Sequence, residues 1–281
     1  MRTLTFSGVV LDTGEMTLEP GFVVEGDPAR VDGEVTVEAL GRRGDVLATT
    51  QVPLGEPCGP PRDGHAGERP PQVAVGLVAF PAEAAGLRVT IDGRTVLERF
   101  APRRGRQPTV EWPRDLNASI TSVGWRAAAE AALASLGYSS DGGSTWSPLS
   151  LPTSSGSIEF DTGTLAGGAR CLLELAVTDG FRTTRVRSPE YSVKPKGWLL
   201  WILAPVSGSV VDPESTVSLA AQGYHVEEHR PSFDEITWSS SLDGYVGQGA
   251  QLVATLSPGD HTITATAHGV STDINLTVAA A

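Results

Sequence analysis

The sequence predicts an all-β protein of three immunoglobulin-like β-sandwich domains in series. Three observations carry this. Turn-forming residues are dense, with 32 Gly and 20 Pro among 281 residues, and they punctuate short runs rich in Val, Thr and Ile. Many of those runs alternate apolar and polar residues with period two, the mark of a half-buried strand. Two Pro- and Arg/Lys-bearing stretches, "APRRGRQPTVEWP" and "VKPKGW", divide the chain into thirds and have the composition of short semi-rigid linkers. The expected domains are residues 1–107, 108–194 and 195–281.

In the first third, "RTLTFSGVV", "GFVVEG", "GEVTVEAL", "GDVLATTQV", "PQVAVGLVAF" and "LRVTIDGRTVLERF" are strand candidates. Asp92-Gly93 lies between two β-rich runs and predicts a tight hairpin; "GRRGD" at 41–45 predicts another turn. Residues 54–71 read as a long Pro/Gly-rich loop, which holds Cys58 and His65. Cys171 lies in the strand-like run "RCLLELAV", in a different expected domain from Cys58, so no disulfide framework is expected.

In the middle third, "ASITSVGW", "GSIEFDT", "RCLLELAVTDG" and "TTRVRSPEYSV" read as strands. "RAAAEAALASLG" has helical propensity, but strands flank it and an isolated helix this short is marginal. It is read as a loop entering a strand. "LASLGYSS" and the residues after "DGGS" form a hairpin. In the last third, Val217, Leu219 and Ala221 share one face, as do His261, Ile263, Ala265 and Ala267, and Ile274, Leu276 and Val278. A central Trp238 among regular short strands fits an immunoglobulin-type sandwich.

Charge narrows the partners. The net charge is −12, and residues 197–281 contribute −8 of it, with Arg230 as their single basic residue against nine acidic ones. Such a surface repels phosphate backbones, so nucleic acid is not an expected partner. No apolar run approaches the roughly 20 residues needed to span a bilayer; the longest is "WLLWILAP", so no membrane insertion is expected.

The segment Ser139–Trp146 fits S-x-D-x-G-x-T-W, the Asp-box pattern of sialidases. Its physics is that of a turn: the Asp141 carboxylate accepts backbone N–H groups, Gly142 or Gly143 takes a positive φ, Ser139 and Thr145 add hydroxyl bonds, and Trp146 packs beneath the hairpin. A propeller enzyme needs several such boxes and a paired acid/base system; one box is present. "HVEEH", His225 to His229, matches a zinc-peptidase spacing that works only on a helix. Gly223 and Pro231 frame it and strand signals surround it, so an exposed loop is expected. His261, at a strand start, is expected to make a structural hydrogen bond. No catalytic, cofactor or metal set emerges. Trp198 and Trp201, just after the second linker, are the candidate interface or ligand contacts.

These pieces resemble tandem bacterial fibronectin type III-like and immunoglobulin-like modules. The matching segments are Tyr138–Trp146, "LAGG" at 165–168, "TDGFRTT" at 178–184, "SPEYSV" at 188–193, "ILAPVSGSVV", "ITWSSSLDGYVGQG" and "LSPGDHTITATA". The resemblance covers about residues 110–281. It implies a non-enzymatic spacer, scaffold or binding segment of a larger surface or secreted bacterial assembly, such as an adhesin. A self-assembling filament or virion-surface subunit and a carbohydrate-binding module are the alternatives, with a protein partner, self-association or a glycan as the corresponding partner.

Overall fold

The computed structural model describes residues 1–11, 13–28, 32–55, 72–102, 107–127, 132–233 and 235–280. Cys58 and His65 fall outside them. The regular structure of the described residues is all strand apart from one 3₁₀ turn at Thr162–Thr164. It buries three hydrophobic clusters, each filled from two facing sheets.

The first cluster lies between sheets built from β1 (Arg2–Val10), β2 (Met16–Leu18), β3 (Val23–Glu25), β4 (Val35–Leu40), β5 (Val46–Val52), β6 (Leu54–Gly55), β7 (Gln72–Ala79), β8 (Gly86–Ile91) and β9 (Arg94–Phe100). One sheet runs β2–β1–β7–β6, with β3 also on β1; the other runs β5–β4–β8–β9. Leu4 and Phe6 of β1 and Val78 of β7 meet Val35, Val37, Leu87 and Val89 of the facing sheet. The β8–β9 hairpin turns on Asp92 and Gly93 with φ of 50° and 74°, the left-handed pair that an Asp-Gly turn supplies. Leu54–Gly55 pairs with β7, so the segment read as a loop from residue 54 begins as a strand.

The second cluster is built from β10 (Thr109–Glu111), β11 (Ile120–Arg126), β12 (Leu133–Ser139), β13 (Ser147–Pro148), β14 (Ser157–Asp161), β15 (Gly168–Thr178), β16 (Thr183–Arg187) and β17 (Tyr191–Val193). The sheets are β10–β11–β14 and β13–β12–β15–β16, with β17 on β15. Residues 128–131 of the alanine-rich segment lie outside the described residues; from Leu133 the segment is β12, where tertiary pairing with β15 overrides helical propensity. β15 is buried on both faces from Cys171 to Thr178. Its outward Glu174 is covered because Arg185 and Arg187 of β16 reach over it at 2.8 and 2.9 Å.

The third cluster is built from β18 (Trp198–Ala204), β19 (Ser209–Val211), β20 (Thr216–His225), β21 (Arg230–Ser232), β22 (Thr237–Ser240), β23 (Gly244–Gln248), β24 (Gln251–Thr255), β25 (Gly259–Ala267) and β26 (Val270–Val278). β20 is flanked by β18 on one side and by β21 and β24 on the other; the second sheet runs β19–β26–β25–β22–β23, with β19 parallel to β26. Val217, Leu219 and Ala221 face Ile263, Ala265 and Leu276 around a fully buried Trp238, whose indole N–H donates to Gly249 O at 2.8 Å. His261 is also buried: Nε2 donates to Ser257 O and Nδ1 bonds the Ser240 hydroxyl, both at 2.7 Å. The imidazole ties the start of β25 to the end of β22.

Candidate functional site

The chain has two kinds of candidate site: the Asp141 turn, and the contacts that join one hydrophobic cluster to the next. At the turn, β12 ends in buried Ser139, whose hydroxyl donates to Asp141 Oδ1 at 2.7 Å and accepts from Gly143 N at 2.8 Å. Asp141 Oδ1 accepts from the backbone N–H of Ser144 and of Thr145, each at 2.9 Å, and Oδ2 accepts from the Thr145 hydroxyl at 2.7 Å. Gly142 and Gly143 hold φ of 76° and 92°. The Thr145 N–H and hydroxyl, then the Ser139 hydroxyl, hold the Asp141 carboxyl far below the usual carboxylate range. Trp146 is half-buried, its N–H on Gly143 O at 3.1 Å and the Arg187 guanidinium 5.1 Å over its ring.

Both carboxylate oxygens are thus engaged inside the turn. Substituting Asp141 by alanine is expected to lower the melting temperature and to speed hydrogen exchange at the Ser144 and Thr145 amides, because their acceptor is gone. The pH sign follows from the lowered value. The stabilisation is complete above the ordinary aspartate value and is lost only as pH falls well below it. Asp141→Asn, which cannot ionise, removes that dependence, and two-dimensional NMR across an acid titration checks it.

Trp198 and Trp201 lie on opposite faces of β18. Trp198 stacks on His268 at 3.8 Å between ring centroids, with His225 edge-on at 5.0 Å and the Arg230 guanidinium at 5.3 Å. Trp201 faces outward, 43 % exposed, with Tyr224 at 6.4 Å. The two indoles therefore do not form one contiguous surface. The "HVEEH" segment turns back from β20 into β21 and is not helical. Glu228 and His229 are exposed, but Val226 is buried and His225 and Glu227 are half-buried. That corrects the expectation of a wholly exposed loop. Among the described residues, no group of three or more His, Cys, Asp or Glu is placed to hold a metal ion.

Glu227 makes the second joint. One oxygen accepts from Lys196 N at 2.7 Å and from Gly167 N at 3.1 Å; the other accepts from Gly197 N at 2.9 Å. One carboxylate from beyond β20 thereby fastens the linker and the turn that precedes β15. Burial pushes the Glu227 carboxyl up, but the N–H groups of Lys196, Gly167 and Gly197 outweigh it, and the net direction is downward. Gly167 has no room for a side chain, since a Cβ there would sit 2.4 Å from Pro195 N.

The first joint comes from "TDGFRTT". Phe181, in the turn between β15 and β16, is buried in the first cluster, its ring 6.4 Å from that of Phe80. The Thr178 hydroxyl donates to Gly21 O at 2.5 Å, Val23 N donates to the Thr183 hydroxyl at 2.7 Å, and Arg182 reaches Pro102 O at 3.1 Å. Gly21 and Gly180 form an antiparallel bridge, and a Cβ on Gly21 would lie 1.9 Å from Thr5 O. Sequence reasoning missed Phe181 and Glu227 as joint residues. The available signal was a large aromatic set in a polar turn with no local apolar neighbour.

The paired sheets, with β18 and β19 dividing between the two sheets of the third cluster, decide the architecture. It is that of tandem immunoglobulin-like and fibronectin type III-like β-sandwiches. No protein-family model matches the sequence, and no curated protein sequence matches it. Among solved structures, the fibronectin(III)-like modules of Clostridium thermocellum CbhA are 14% identical, covering 62% of this chain and 94% of theirs at a TM-score of 0.25. Escherichia coli alpha-2-macroglobulin is 10% identical over 93% of this chain and 29% of its own, also at 0.25. Drosophila OTK extracellular domains 3–5 are 12% identical over 89% of this chain and 87% of theirs, at 0.23.

Proposed function

We propose that this chain is a non-catalytic spacer or scaffold segment of a larger extracellular or cell-surface assembly. It consists of three β-sandwich domains, 1–107, 108–194 and 195–281, held at fixed orientation. The observation that supports this best is the pair of bonded joints. Domains strung on free linkers reorient by default. Here an aromatic side chain from one domain completes the core of its neighbour, and a carboxylate fastens the next linker by its backbone. The Asp141 carboxylate, with both oxygens engaged inside its own turn, accords with a structural role for that segment.

Small-angle scattering tests the reading. At concentrations that keep it monomeric, the native chain should give a scattering profile that fits a single conformation. The double variant Phe181→Ala/Glu227→Ala should give a broader distribution of interdomain distances with each domain still folded. A native chain already as broad as the double variant would defeat the proposal.

A further inference from the structure

The feature that the spacer reading leaves unused is the free edge of β18. Val226 N donates to Gly197 O at 2.9 Å, so the backbone of residue 197 faces β20. By strand alternation the backbones of 199 and 201 do too, while those of Trp198, Leu200 and Ile202 face away. Among the described residues β18 pairs with β20 alone. Its outward side chains are Leu199, Trp201 and Leu203, the last two exposed by 43 % and 59 %. From Trp198 to Ala204 there is no charged residue and no proline. The strand carries none of the charges or prolines that usually blunt a sheet edge, and among the described residues no second strand pairs along it; the bulge near Leu203 interrupts it.

We propose that β18 is a homodimer interface, with two copies of this chain pairing antiparallel along residues 198–202 about a two-fold axis at Leu200. That register stops short of the bulge. It sets Leu200 against Leu200 of the second copy, and Trp198 against Ile202 of the second copy, as the hydrogen-bonded pairs, because these are the residues whose N–H and C=O face outward. On the outer face it places Leu199 directly opposite Trp201 of the second copy, and the reverse, at the closely spaced non-hydrogen-bonded positions where cross-strand side chains interact most. The occupant follows from this self-complementarity. A charged peptide finds no counter-charge on the strand, whereas a second copy sets apolar against apolar at each outward position. The contact is isologous and uses up the edge it forms on, so it closes as a dimer and does not propagate into a fibre. The −8 charge of residues 197–281 opposes it, so association should tighten as salt rises.

Sedimentation equilibrium of the full chain over a concentration series, with hydrogen exchange at matched concentrations, tests this. The expected result is a monomer–dimer equilibrium with a dissociation constant that falls with added sodium chloride, and amides of Trp198, Leu200 and Ile202 that exchange more slowly in the dimer. Trp201→Lys, on the outer face, should raise the dissociation constant about thirtyfold or more without changing the melting temperature of the monomer, measured at concentrations too low for the dimer, and Trp201→Phe should keep the dimer. A chain that stays monomeric throughout the series, a dimer indifferent to Trp201→Lys, or a dimer that leaves those amides unprotected would each overturn the proposal.

Discussion

Replacing Phe181 by alanine is expected to destabilise the first sandwich by about 3–5 kcal/mol, although the residue is remote in sequence from every strand it supports. The ring is 2 % exposed and packs in the cluster that holds Leu4, Phe6, Val78 and Phe80. Truncation removes the transfer free energy of the ring and leaves a cavity that β1 and β7 cannot easily close, because their register is fixed from Thr3–Ala79 to Val10–Gln72. The second sandwich should lose much less, since Phe181 contributes nothing to its core. Calorimetry should show the two transitions separating, and hydrogen exchange should rise first in β1 and β7. Phe181→Leu, which keeps most of the volume, should recover much of the loss. Equal destabilisation of both sandwiches would mean that the ring acts through the turn and not through the first core.

The strands were legible in the sequence for a simple reason. Where one face is buried, period two must appear, as in Val217-Leu219-Ala221 and in Ile263-Ala265-Ala267. Hairpins were legible wherever they require left-handed backbone, as at Asp92-Gly93. β15 was less so, because both its faces are covered, and Glu174 sits in an otherwise apolar run only by virtue of Arg185 and Arg187 on the neighbouring strand. The joints were not legible. Phe181 and Glu227 occupy turns, where polarity and glycine predict exposure, and their partners are set by how whole sheets meet. A pattern confined to one element carries no record of that. "HVEEH" shows the same limit: its spacing points to metal ligands, but its function in the fold rests on the glutamate between them.

Glu227→Ala should have the second largest effect. It strips the acceptor from three backbone N–H groups, those of Gly167, Lys196 and Gly197. Hydrogen bonds to a charged group contribute about 1.5–3 kcal/mol each and are not additive, because the freed linker relaxes toward water; a total near 3 kcal/mol is the expectation. The loss should register at the joint. Amide exchange at those three residues should quicken, while the core of the third sandwich, centred on Trp238, stays protected. Glu227→Gln separates charge from shape, since its single amide oxygen can serve only part of the donor set and should give an intermediate result. The pH dependence has a definite sign. The folded carboxyl lies below the ordinary glutamate value of 4.5. The joint therefore holds fully above that value and loosens as pH falls through the lower folded one. In Glu227→Gln that acid-induced loosening should vanish. If it persists, the Glu227 charge does not hold the joint, and the backbone bond from Val226 N–H to Gly197 O is left to carry it.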